Sequence, residues 1–191
     1  MTKVRSFIAV PIPEAVKQQI VQLQTTLRAN LPEGITWVKP DAMHITLKFL
    51  GEIESTQIAK IKQLLPQILN EHSAFRIEVA KLGAFPHNHA PRVVWVGLQE
   101  ASDRLAKMQQ RLETALAAIG IPPEEKEASL HITLARVKHK LDKLLPQLLK
   151  QYADIAFGTV PVDRVVLFQS ELRPSGPVYT PLAEIKLSVQ V

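Results

Sequence analysis

Cysteine is absent from the 191 residues, and glycine and aromatic residues are scarce. Without cysteine the chain has no disulfide framework, no thiolate nucleophile and no Cys-ligated metal site. Seven glycines leave little backbone to cradle a pyrophosphate, and neither a G-x-x-x-x-G-K-[ST] phosphate loop nor a G-x-S-x-G nucleophile elbow occurs. Aromatic residues form only 5% of the chain, which argues against a broad base-stacking surface.

Long apolar runs are missing too. None approaches the ~18 residues that span a bilayer, and the amino-terminal segment lacks the pattern of a signal peptide. We therefore expect a cytoplasmic protein without membrane contact. The balance of 23 Lys and Arg against 18 Asp and Glu gives a net charge of +5, which favours polyanions such as RNA. No sustained heptad pattern occurs, so we expect a monomer without an obligate protein partner.

Short strand-like runs alternate with amphipathic helical patterns along the chain. Helices are predicted at residues 14–29, 58–68, 101–119 and 141–152, each from an apolar stripe at helical spacing. Strands are predicted at residues 7–10, 35–38, 44–50, 75–82, 92–98, 130–137, 162–168 and 178–187. Helices of this length between strands of alternating polarity predict an α+β fold with antiparallel sheets.

The chain contains an internal sequence repeat, called the echo below. The tetrapeptide H-I-T-L occurs at residues 44–47 and 131–134, and L-L-P-Q follows it at residues 64–67 and 144–147. An amphipathic helix precedes each copy of H-I-T-L. Two ordered pairs indicate an internal duplication, and two units are too few for a solenoid. We therefore predict one domain over residues 1–191, with two lobes related by a pseudo-two-fold axis, each contributing one H-x-T motif.

Each H-I-T-L copy reads as a strand with one polar and one aliphatic face, because side chains alternate along a strand. This alternation places His44, Thr46 and Lys48 opposite Ile45, Leu47 and Phe49, and His131 and Thr133 opposite Ile132 and Leu134. A pseudo-two-fold axis then brings two imidazoles and two hydroxyls to one cleft.

Two facing imidazoles suit a reaction that needs one general acid and one general base. With an unperturbed pKa near ~6.5, one imidazole can be neutral and the other protonated around neutral pH. Threonine hydroxyls can hold two non-bridging oxygens of a tetrahedral anion. A phosphodiester has two such oxygens, with attacking and leaving oxygens roughly in line. Neither a metal nor another cofactor is required by this arrangement.

The two motif regions, HITLKFLG at residues 44–51 and HITLAR at residues 131–136, resemble the paired signature motifs of the two-histidine (2H) phosphoesterases. Within that superfamily the chain is similar to the RNA 2′,3′-cyclic phosphodiesterases, also described as 2′-5′ RNA ligases. The likeness includes RSFIAV, LGAFP and GPVY, in the expected order along the chain. It implies a bilobal α+β fold in which two antiparallel sheets, flanked by helices, surround a central cleft.

The resemblance also implies an activity and residue roles. The activity is metal-independent hydrolysis of a terminal 2′,3′-cyclic phosphate, on RNA or a nucleotide, to a 2′-phosphate. His44 would protonate the departing ribose O3′, and His131 would accept the proton of the attacking water. Thr46 and Thr133 would bind the non-bridging oxygens of the phosphate.

Arg136 and Phe7 match family positions near the terminal nucleotide, as phosphate or base contacts. Arg136 lies five residues after His131, so strict alternation puts it on the face opposite the imidazole. It reaches the cleft only if the strand bends or ends near Ala135. Lys48 is expected to face either the phosphate or the solvent.

Other functions stay open at this point. Within the enzymes, the alternatives are 2′-5′ RNA ligation and hydrolysis of a cyclic phosphate on a small nucleotide or an ADP-ribose derivative. From another class, a non-catalytic RNA- or nucleotide-binding module is possible, although both intact H-x-T motifs argue against it. His87 and His89 have the H-x-H spacing of metal ligands, but no acidic ligand lies nearby in sequence, so a solvated loop is favoured.

Overall fold

The computed structural model describes residues 3–31, 33–99, 102–124, 129–138, 144–174 and 176–189. In these ranges the strands are β1 (Lys3–Pro11), β2 (Ile35–Trp37), β3 (His44–Glu54), β4 (Phe75–Phe85), β5 (Val93–Leu98), β6 (Ile132–Val137), β7 (Ala156–Val162), β8 (Arg164–Arg173) and β9 (Gly176–Lys186). The α-helices are α1 (Glu14–Asn30), α2 (Ser55–Leu69), α3 (Ser102–Ala118) and α4 (Leu144–Gln151). The pairings between these strands are antiparallel, which confirms the predicted α+β class.

The strands form one curled sheet made of two halves. One half has the order β3-β1-β8-β9, and the other has the order β6-β5-β4-β7 with β2 added on β6. The halves meet at the pair of Ile45 in β3 and Ile132 in β6. Each of these isoleucines directly follows the histidine of an H-x-T motif. The two predicted sheets are thus continuous through this seam.

The two halves of the chain exchange strands. β4 follows the first motif but lies between β5 and β7, whereas β8 follows the second motif but pairs with β1. The helices that follow the motif strands, α2 and α4, carry the L-L-P-Q echo. Leu65 and Leu145 occupy matching places in that echo, and both are buried in the core. The duplication therefore extends from the motifs to the packing of the following helices.

The helices and the sheet enclose a hydrophobic core. The apolar stripe of α1 is buried against the sheet, and the isoleucines and leucines of both motifs are at most 1% exposed. The opposite face of the two motif strands is left open as a cleft. Within the described residues, no helix is long and apolar enough to cross a membrane.

One strand differs from the sequence prediction. A single strand was expected at residues 162–168, but the chain forms β7, which ends at Val162, and then β8 after one residue. β7 contains Gly158 and Pro161, which weaken a strand pattern and are tolerated because β7 is an edge strand. The helix predicted at 141–152 is confirmed from Leu144 onward, while residues 139–143 lie outside the described residues.

Candidate active site

The seam between β3 and β6 brings the two H-x-T motifs together. Because the pairing is antiparallel around Ile45 and Ile132, the register sets His44 toward Thr133 and Thr46 toward His131. A cleft of about 730 Å³ is lined by His44, Thr46 and Thr133. His131 contacts this lining through Thr133, whose hydroxyl lies 3.2 Å from His131 Nε2. Three of the four side chains expected to converge therefore line the cleft, and the fourth, His131, lies within hydrogen-bond distance of one of them.

A β-bulge follows the threonine of each motif. The pairing of β3 with β1 skips Leu47, and the pairing of β6 with β5 skips Leu134. One extra residue reverses the alternation of side chains beyond it. The cleft lining accordingly includes Phe49 after the first bulge and Arg136 after the second.

The first bulge overturns two expectations drawn from strict alternation. Lys48 does not share a face with His44. It is 2% exposed and points away from the cleft, with Nζ 2.8 Å from Glu113 Oε2 and 3.0 Å from the carbonyl oxygen of Pro122. Phe49, expected on the core side, is 54% exposed in the cleft.

The second bulge resolves the conflict over Arg136. The strand bends at the bulge, where Leu134 is the extra residue, and this bend brings the Arg136 side chain to the cleft. Arg136 lies close enough to His131 and Tyr179 for its charge to act on both groups. It adds to the lowering of the His131 pKa by burial and opposes the rise of the Tyr179 pKa that burial causes. It therefore places a guanidinium beside the second motif.

The two catalytic candidates are held by matching hydrogen bonds. His44 Nδ1 lies 2.9 Å from the carbonyl oxygen of Ala42, and His131 Nδ1 lies 2.5 Å from the carbonyl oxygen of Ser129. A carbonyl only accepts, so each Nδ1 carries the hydrogen and donates it. Each neutral imidazole then has its free lone pair on Nε2. At His131 this lone pair accepts a hydrogen bond from the Thr133 hydroxyl.

Burial lowers the pKa of both imidazoles. The pKa of His44 falls from 6.5 to about 4, mainly because burial disfavours the charged ring, while the bond to Ala42 opposes the change and nearby His131 adds to it. The pKa of His131 is lowered by burial and by Arg136, against the bond to Ser129. Both rings are therefore neutral at pH 7 in the free protein. The expectation of one protonated imidazole does not hold without substrate.

Aromatic side chains pack around His44. The ring of Phe7 stacks on His44 with centroids 4.6 Å apart and on Phe168 with centroids 5.2 Å apart. Because β1 lies between β3 and β8, these contacts come from opposite sides of Phe7, which is 3% exposed. Tyr179 meets the edge of both rings, 4.8 Å from Phe7 and 5.3 Å from His44. Phe7 lines the cleft and packs against the His44 imidazole. Its contact with the terminal nucleotide stays a prediction.

A family model described as LigT-like phosphoesterase matches residues 10–95 and again residues 96–179. The chain belongs to the LigT-like phosphoesterase family. The double match divides the chain as the H-I-T-L echo does, with one motif in each part.

Individual relatives agree with this family. A protein of Aeropyrum pernix named RNA 2′,3′-cyclic phosphodiesterase is 39% identical over 150 residues, covering 78% of this chain and 84% of the relative. A protein of the same name from Methanothermobacter thermautotrophicus is 31% identical over 187 residues, covering 97% and 100%. A crystal structure of a Thermus thermophilus protein matches with a TM-score of 0.81 and 30% identity, covering 98% and 100%. The likeness to the Methanothermobacter and Thermus proteins thus extends over nearly the whole length of each chain.

This LigT-like phosphoesterase has site residues that the motif analysis missed. Arg5 and Lys39 line the cleft beside the predicted Arg136, and within the described part of the chain these three cationic residues are the Lys, Arg, Asp or Glu side chains of the lining. Tyr179 also lines it, and burial raises the pKa of its phenol. Arg5 and Tyr179 belong to the segments RSFIAV and GPVY that carried the resemblance, so those segments could have identified them.

The H-x-H segment lies apart from this cleft. His87 and His89 are exposed, with ring centroids 6.2 Å apart, in the turn that follows β4. Within the described residues, no third His, Asp or Glu joins them in a cluster suited to a metal ion. Their exposure agrees with the solvated loop that the sequence favours.

Proposed function

We propose that this LigT-like phosphoesterase is an RNA 2′,3′-cyclic phosphodiesterase that converts a terminal 2′,3′-cyclic phosphate into a 2′-phosphate. The observation that carries the proposal is the pair of H-x-T motifs at one seam, each with its histidine tied through Nδ1 to a backbone carbonyl. The cationic cleft suits a phosphodiester, and relatives over most of the chain carry this name.

The mechanism assigns one proton transfer to each imidazole. His131 Nε2 takes a proton from water, whose oxygen attacks phosphorus as the bond from phosphorus to O3′ breaks. O3′ receives the proton of His44 Nε2, and the phosphate remains on O2′. Thr46 and Thr133 donate hydrogen bonds to the two non-bridging oxygens. Thr133 exchanges its bond to His131 for one to the phosphate, which frees His131 Nε2 for water.

His44 must gain a proton before it acts as the acid. Burial keeps the free imidazole neutral at pH 7, with a pKa of about 4. A bound phosphodiester places a negative charge in the same cleft, and an opposite charge at short range raises the pKa of an imidazole. The substrate therefore promotes the protonation that its own cleavage needs.

The test is product analysis with a 2′,3′-cyclic mononucleotide and a short RNA ending in the same group, with EDTA present. We expect chromatography to show a 2′-phosphate that is absent with His131→Ala. A 3′-phosphate would overturn the assignment of O3′ as the leaving group. No product from either substrate, with or without added divalent cation, would reject the phosphodiesterase proposal and leave the binding module.

The lowered pKa values predict an unusual pH profile. The competent free form has His44 protonated and His131 neutral, and rising pH removes the proton from His44. Because the pKa values of both imidazoles lie below 6.5 in the free enzyme, whose state kcat/KM reports, kcat/KM should already be falling by up to about tenfold per pH unit throughout the range above pH ~6.5. The falling limb of kcat should lie at higher pH, since bound phosphate raises the pKa of His44. Rates between pH 4 and 9 check this, and a kcat/KM maximum above pH 7 would contradict it.

Arg136 is proposed to bind the phosphate through its guanidinium. Arg136→Met should raise KM on the order of 10- to 100-fold with a smaller change in kcat, since a charged hydrogen bond is lost in both ground and transition states. Arg136→Lys should recover part of the affinity because the charge remains. Arg76→Met, which removes an exposed arginine of β4 outside the cleft lining, is the matched control. Equal KM values for the Arg136 and Arg76 variants would reject the contact.

Three organisational features complete the proposal. We infer one catalytic domain with two lobes, a monomeric state and a cytoplasmic location. Support for the first comes from the two sheet halves, which share strands from both parts of the chain and meet at the motif seam. Gel filtration with light scattering tests the monomer, and a mass of twice 21.3 kDa would overturn it.

A further inference from the structure

Two buried glutamines reach the motif strands from the helices. Gln24 on α1 is 4% exposed and Gln109 on α3 is 8% exposed, and they are two of four buried polar residues in the described part of the chain. Neither lines the cleft. A buried amide costs free energy unless it is hydrogen-bonded, so their partners indicate what these side chains do.

Both glutamines donate to the bulged residues. Gln109 Nε2 lies 3.0 Å from the carbonyl oxygen of Leu47, and Gln24 Nε2 lies 3.0 Å from that of Leu134. Gln24 also donates to the carbonyl oxygen of Val38 at 2.8 Å, so both hydrogens of its amide are used. The Leu134 carbonyl accepts a second bond, from the backbone N–H of Val38. Each amide thus binds the residue that is skipped directly after the threonine of its motif.

The arrangement is symmetric and crossed. α1 precedes the first motif in the chain but binds the second, and α3 precedes the second motif but binds the first. The exposure pattern is also the same in both strands from the histidine to the fifth residue after it, with a buried pair after the threonine and then an exposed residue. The duplication has therefore preserved the bulge and its glutamine together.

We propose that Gln24 and Gln109 are positioning residues that fix the two bulges and so decide which side chain after each H-I-T-L enters the cleft. Without the bulge, regular alternation would turn Arg136 toward the core and Ala135 toward the substrate. Gln24 holds Arg136 in the cleft in this way, and Gln109 does the same for Phe49. The inference rests on the proposed function, because Arg136 is assigned there as a phosphate contact.

A double-mutant cycle tests Gln24. Gln24→Met keeps the side-chain volume but removes the amide, and it should raise KM about tenfold with a smaller change in kcat. In the Arg136→Met background, Gln24→Met should raise KM by less than about a further twofold, because Gln24 acts on the substrate through Arg136. Gln109→Met is the matched control, because Gln109 is also a buried glutamine but is bound to the first motif. Its effect on KM should be independent of Arg136, so the fold-changes of Gln109→Met and Arg136→Met should multiply in the double variant.

A crystal structure of Gln24→Met gives a readout that does not depend on activity. We expect the Leu134 bulge to shift and the guanidinium of Arg136 to leave the cleft. An unchanged bulge, or independent effects of Gln24→Met and Arg136→Met on KM, would overturn the proposal. If Gln24→Met does not fold, Gln24→Asn can be used, because it keeps the amide on a side chain that is one methylene shorter. Its effect on KM should be smaller and should likewise depend on Arg136. Failure of wild-type protein to hydrolyse any cyclic phosphate would reject the proposed function, while the structure would still decide the role of Gln24.

Discussion

We expect His131→Ala and His44→Ala each to lower kcat/KM for a 2′,3′-cyclic nucleotide by ~10²–10⁴-fold, the usual contribution of a positioned proton-transfer group. The structure supplies the positioning, since each Nδ1 is fixed by a carbonyl, which makes the Nε2 lone pair the site of proton transfer. Initial rates under kcat/KM conditions measure the loss. His89→Ala, which removes an exposed histidine outside the cleft lining, should retain wild-type rates.

An activated aryl phosphodiester separates the two roles. Its leaving group departs without protonation, so the loss caused by His44→Ala should shrink with this substrate, while the loss caused by His131→Ala should persist. The reverse result would exchange the acid and base assignments. Because the His44 ring packs on Phe7, urea unfolding of both variants is needed to show that the folded state is retained. Losses below tenfold in folded protein would contradict dual-histidine catalysis.

Glu113→Ala should destabilise the protein by about 3–5 kcal/mol, although Glu113 lies outside the cleft lining. Its carboxylate is the ionic partner of Lys48, whose ammonium is buried. Removing the carboxylate leaves that ammonium in the interior, where it still donates to the carbonyl oxygen of Pro122. Urea unfolding at pH 7 measures the loss. Glu71→Ala breaks the exposed pair with Arg111 and should cost below about 1 kcal/mol.

A double variant tests the cause of this loss. Lys48→Met combined with Glu113→Leu removes both charges and fills the space with apolar atoms, so it should recover most of the stability. Equal stability losses for the Glu113→Ala and Glu71→Ala variants would show that the pair of Lys48 and Glu113 contributes no more than an exposed ion pair. Failure of the double variant to recover would assign the loss to packing.

The sequence was sufficient for the parts of the site that depend on simple alternation. His44 and Thr46, and likewise His131 and Thr133, are two residues apart and precede the bulges, so they lie where a regular strand puts them. The aliphatic residues between them are buried as expected. The antiparallel class and most elements also followed from periodicity, because apolar stripes decide which faces are covered.

Alternation failed beyond the bulges because a skipped ladder position has no signature in a single sequence. H-I-T-L-K-F reads as a uniform strand, and the bulge at Leu47 depends on its pairing with β1 and on Gln109 from a helix 62 residues away. Lys48 was misplaced for this reason. The lowered pKa of His44 likewise depends on burial, which strand periodicity does not measure.

The exchange of strands between the two sheet halves has a consequence for how the protein is made. β1 ends at Pro11, but β8, its neighbour on the side away from the seam, begins only at Arg164. The sheet half that carries His44 is therefore incomplete until β8 and β9 have been synthesised. Contacts so distant in sequence slow folding and leave strand edges open meanwhile. Activity should thus appear only after β8 and β9 have been made, and neither half of the duplicated chain should acquire it alone.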